Sequence, residues 1–99
     1  MKDPDEMFNH VFDRTVKLGN QIAEQDTEAD VWDVADGMLA GAVQYWLYSR
    51  QPCGDPRCDD CDPVSTAHGR MQELTRLIDE LARQSEYYHT ASDSNVGRA

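Results

Sequence analysis

All three cysteines of this 99-residue chain fall within one short stretch, Cys53, Cys58 and Cys61, and His68 follows shortly after. The spacing is C-x4-C-x2-C-x6-H, and it constrains the fold more than any other feature. Two cysteines separated by two residues can aim both sulfurs at one point from a single tight turn. Cys53 can fold back over that turn through Gly54 and the Asp55-Pro56 bend. Three thiolates and an imidazole make a common tetrahedral set for structural zinc. An odd cysteine count forbids complete internal disulfide pairing, which again favours a metal. The spacing therefore predicts a structural zinc held by Cys53, Cys58, Cys61 and His68.

The fourth position has competitors in Asp59, Asp60, Asp62, a water or a group from another chain. His10 and His89 lie far from the cluster in sequence and read as solvated surface histidines. C-x4-C-x2-C is also the leading part of the plant-type [2Fe–2S] pattern. That pattern needs a fourth, distant cysteine and usually a sheet, and the sequence offers neither. The resemblance to zinc loops and to ferredoxin spacing is local and covers less than a fifth of the chain. Asp55, Asp59, Asp60 and Asp62 surround the sulfurs and disfavour free thiolates, a conflict that a divalent cation removes.

The cluster sits between segments whose apolar residues recur at steps of three and four, the mark of amphipathic helices. The first opens at Asp3-Pro4, an N-cap followed by proline at the first helical position. It carries Phe8, Val11, Phe12, Leu18, Ile22 and Ala23 on one face, with Thr15 filling the gap, and runs from about 4 to 25. Thr27-Glu28-Ala29-Asp30 resembles a capping box and starts a second helix over about 28–50. Its broad stripe includes Val34, Met38, Leu39, Val43 and Trp46. Gly37 and Gly41 share a face on which another backbone could come close, and Tyr45, Trp46 and Tyr48 suit a packing or interface role. A metal loop over 51–62 follows. Asp62-Pro63 repeats the cap-and-proline start, opening a third helix over 63–89 with Met71, Leu74, Leu77, Ile78 and Leu81 inward. Residues 90–99 are small and polar and read as a disordered tail.

These elements predict an all-α fold in a single domain, residues 1–89. Its simplest form is an antiparallel three-helix bundle with the Cys-rich loop between helices two and three, a topology that dimerisation could also complete. The expectation that so small a core recruits a metal or a second subunit is general.

The formal net charge is -10, from 9 basic and 19 acidic side chains. Such a surface repels phosphate backbones, so direct nucleic-acid binding is not expected. No apolar run approaches the roughly 20 residues of a spanning helix. The acidic start, Met1-Lys2-Asp3-Pro4-Asp5-Glu6, lacks a signal-peptide layout, and a cytoplasmic location is expected. No H-x-E with P-C-x-x-C, H-E-x-x-H, G-x-S-x-G or phosphate-binding glycine loop is present, so the chain is not expected to be an enzyme. The sequence points to a metal-stapled module that binds another protein or itself as a homodimer. Two alternatives remain: an acidic inhibitor occupying a nucleic-acid-binding surface, and a redox or iron–sulfur electron-transfer protein.

Overall fold

The computed structural model describes residues 3–55, 57–59 and 61–93. Three α-helices follow one another: α1 Pro4–Gln25, α2 Val31–Ser49 and α3 Ala67–Gln84, with a short 3-10 turn at Asp62–Val64 before α3. No strand occurs among the described residues, so the all-α class holds. No described helix is long and apolar enough to cross a membrane. The chain divides into two compact units, Met1–Ser49 and Arg50–Ala99.

The first unit is a helical hairpin. Asp3 caps α1 by accepting a hydrogen bond from the Asp5 N–H at 2.8 Å, with Pro4 in the first turn, as the sequence predicts. Thr15, within the apolar stripe, donates its hydroxyl to the Val11 carbonyl at 2.8 Å. That bond satisfies the oxygen and leaves the methyl to the stripe. α1 ends at Gln25, and the N–H of the capping residue Asp26 bonds the Ile22 carbonyl. The start of α2 differs from the capping-box expectation. The Asp26 carboxylate and carbonyl instead receive the Glu28 and Ala29 N–H groups, forming a turn. Asp30 then caps α2, accepting from the Trp32 N–H at 2.8 Å. The turn uses the residues that a helix beginning at 28 would need, so α2 starts three residues later.

α2 lies against α1 at Gly19. A Cβ placed there would lie 2.5 Å from Met38 Sδ and 4.0 Å from Val34 Cγ1. The close approach that Gly37 and Gly41 would allow is not made with α1: a Cβ at either meets nothing within 4 Å. No residue of α1 or α2 is buried. Gly19, Ala23, Val34 and Met38 are half-buried along the line of contact.

The second unit runs from the cysteine loop into α3. α3 begins at Ala67 rather than 63, because Asp62-Pro63-Val64 closes a 3-10 turn and Thr66 takes the cap, accepting from the Gly69 N–H at 2.9 Å. Arg70 ties the pieces together by donating to the Val64 carbonyl at 3.0 Å. Leu74 is buried and Leu77 half-buried, while Met71, Ile78 and Leu81 remain exposed. Of the ion pairs spaced four apart, Arg76–Glu80 (2.8 Å) and Arg83–Asp79 (3.0 Å) form, and Arg76 also reaches Glu73. α3 stops at Gln84, where the Ser85 N–H bonds the Ala82 carbonyl. Tyr88 lies beyond it, under the Arg83 guanidinium and edge-on to His89. Thr90 and Asp93 close a turn with bonds in both directions, and residues 94–99 of the expected tail lie outside the described residues.

Candidate metal centre

The loop from 51 to 61 is shaped by two turns and one glycine. The Asp55 side chain accepts from the Arg57 N–H at 2.9 Å, and the Asp55 carbonyl accepts from the Cys58 N–H at 3.1 Å. A second turn joins the Asp62 N–H to the Asp59 carbonyl. Gly54 has φ +89°, the left-handed region that favours glycine. It stands directly after Cys53, where the chain must reverse to bring that residue over the Cys58–Cys61 turn.

The result gathers the three sulfurs. The Sγ atoms of Cys53, Cys58 and Cys61 all lie within 4.8 Å of one another. Tetrahedral zinc with Zn–S bonds of about 2.3 Å would hold sulfurs about 3.8 Å apart, so small side-chain adjustments suffice. All three are free thiols; Cys53 is exposed, and Cys58 and Cys61 are half-buried. The Cys53 N–H points at Cys61 Sγ at 3.4 Å, an amide–sulfur bond that suits a metal-bound thiolate. This bond has the largest influence on Cys61 ionisation and favours the thiolate. The adjoining Cys58 and Cys53 thiols, with partial desolvation, together outweigh it and push the Cys61 thiol above its ordinary range. Cys61 is thus hard to ionise without a cation, which is the electrostatic condition a metal relieves. The sequence assigned that conflict to the aspartates; at Cys61 its sources are the other two cysteines.

His68 is in the first turn of α3 and is not part of this sulfur group. It lines a shallow groove along α3 with Met71, Gln72 and Thr75. Asp59 and Asp62 also stand outside the group, and Asp60 lies outside the described residues. His10 is on α1, and His89 pairs with Asp93 at 3.7 Å. The structure therefore brings together three of the four residues predicted as ligands.

Two contributors were not singled out from the sequence. Gly69 allows the start of α3 to press against the Pro63 carbonyl, to which a Cβ would come within 2.5 Å. Arg70 anchors that same junction through Val64. Glycine in the first turn of an otherwise regular helix was the available signal for the former. Nothing in the local pattern distinguished Arg70 from a solvated arginine. No protein-family model matches the chain, and comparison with curated proteins and with solved structures gives no match.

Proposed function

We propose that this protein is a non-enzymatic interaction module whose cysteine loop is stapled by structural zinc and whose helical faces bind protein. The observation that carries the interaction reading is the exposed apolar surface. Leu74 is the one buried hydrophobic residue among those described, while Phe8, Phe12, Trp32, Leu39 and Tyr45 are each more than half exposed. A contiguous apolar surface beyond a few hundred Å² marks an interaction site in a soluble protein. Closure of the helices into a bundle belongs to the same reading, since an amphipathic helix gains most of its stability by covering its stripe.

The metal part is supported by the convergence of Cys53, Cys58 and Cys61 and by the amide–sulfur bond. When bound, zinc would cross-link the loop, with Cys53 fastened to the turn that leads into α3. His68, in the first turn of α3, is the candidate fourth ligand. Elemental analysis with an absorption spectrum tests this directly. The expected result is one zinc per chain, no visible colour, and thiols that react only after chelation. Iron with visible absorption, or metal-free protein with freely reactive thiols, refutes the staple.

A further inference from the structure

The cysteine loop combines an all-sulfur donor set with an acidic surround, and together these favour one class of thiophilic solute. Among the described residues, the ligand atoms that gather within 4.8 Å are the Sγ atoms of Cys53, Cys58 and Cys61, with no nitrogen or oxygen among them. The loop's own turns build this gathering. Gly54 reverses the chain at φ +89°, the Cys58 N–H bonds the Asp55 carbonyl at 3.1 Å, and the Cys53 N–H reaches Cys61 Sγ at 3.4 Å. A donor set of thiolates alone selects soft ions. Cys53 is exposed and the other two are half-buried, so a small solute enters from the Cys53 side.

Charge then separates the soft ions. Residues 51–62 carry Asp55, Asp59, Asp60 and Asp62 against Arg57 alone. Relative to three protonated thiols, binding copper(I) through all three sulfurs makes the loop more negative by two charges, and binding zinc makes it more negative by one. Asp59 follows Cys58 and Asp62 follows Cys61, neighbours about 3.8 Å apart along the chain, so salt screens this repulsion little. Trivalent arsenic as its neutral hydroxide, As(OH)3, leaves the loop's charge unchanged. Three As–O bonds break and three As–S bonds form; the thiol protons leave with the hydroxyls as three waters, and arsenic stays trivalent. Arsenic then sits on three sulfurs as a pyramid, with its lone pair in the fourth corner, so it needs no fourth ligand.

We propose, resting on the reading of this loop as a metal site, that Cys53, Cys58 and Cys61 form a binding site for arsenite, which replaces zinc there. In that exchange zinc leaves as the divalent ion, and three solvent protons complete the three waters.

The test titrates the full chain as purified with sodium arsenite, in thiol-free buffer at neutral pH. Released zinc is read with a colorimetric indicator and bound arsenic by mass spectrometry. At about 10-fold excess of arsenite, one zinc should leave each zinc-loaded chain. The mass of the zinc-free chain should rise by one arsenic less three hydrogens. Cys53→Ser, Cys58→Ser and Cys61→Ser should each raise the arsenite concentration for half-saturation by at least about 100-fold, because the third sulfur closes intramolecularly. His68→Ala should leave it within about 3-fold of wild type.

Zinc retained at that excess overturns the arsenite site and leaves the zinc staple standing. Arsenic that keeps one hydroxyl on two sulfurs, or binding indifferent to any one of the serine variants, also overturns it. A chain isolated without zinc, with freely reactive thiols, that still takes one arsenic on three sulfurs refutes the staple and upholds the arsenite site. A chain that binds neither refutes both.

Discussion

Gly69→Ala should destabilise this protein, although alanine is the better helix former. By propensity alone the change gains about 1 kcal/mol. The added Cβ, however, would lie 2.5 Å from the Pro63 carbonyl oxygen and 3.2 Å from Thr66 Oγ1. An ordinary carbon–oxygen contact is about 3.3 Å, so one backbone segment must move by nearly 1 Å. The obstructing atom is a carbonyl of the 3-10 turn, held between the cysteine loop and the Arg70–Val64 bond. Overpacking against groups that cannot rotate away costs about 1–3 kcal/mol. Subtracting the gain from the cost gives a net loss of about 1 kcal/mol, within a range of about 0–2 kcal/mol, or a fall in Tm of about 4–8 °C at the centre of that range for a chain of this size.

Gly19→Ala is the matched comparison. Its Cβ would also meet an atom at 2.5 Å, but that atom is the Met38 sulfur at the end of a flexible side chain. Met38 can turn aside, so the propensity gain survives and stability should change by between 0 and about +1 kcal/mol. Urea denaturation followed by circular dichroism at 222 nm, at one protein concentration and metal load, measures both. A Gly69→Ala protein as stable as wild type, or destabilisation at Gly19 equal to that at Gly69, would refute the reasoning.

Further expectations concern the staple and the helix ends. Chelation of the metal, or Cys58→Ser, should lower stability by several kcal/mol and reduce helicity; a chelator titration monitored by circular dichroism and zinc release checks it. Thr66→Ala removes the acceptor for the Gly69 N–H and should cost about 1 kcal/mol in urea denaturation, with Thr66→Ser restoring most of it. Leu74→Ala empties the one buried hydrophobic position among the described residues and should cost about 2–3 kcal/mol by the same measurement, toward the low end for core truncations because the site can collapse.

Local chemistry was the part of this protein that the sequence determined. Asp3-Pro4 started α1 where a cap and a proline must start it, since both act within one turn of chain. The steps of three and four marked three helices because burying one stripe requires that period. The C-x4-C-x2-C spacing placed three sulfurs together because Gly54 can take a positive φ and two short turns do the rest. What the sequence misjudged depended on competition among neighbours. Asp26 drew the N–H groups of Glu28 and Ala29 into a turn, so Asp30 rather than Thr27 capped α2. Asp62-Pro63 closed a 3-10 turn instead of opening α3. The close helix approach fell on Gly19 and not on Gly37 or Gly41. Periodicity ranks the residues that can face a partner, but only tertiary packing decides which of them meets one, because that choice depends on the shape of the surface opposite.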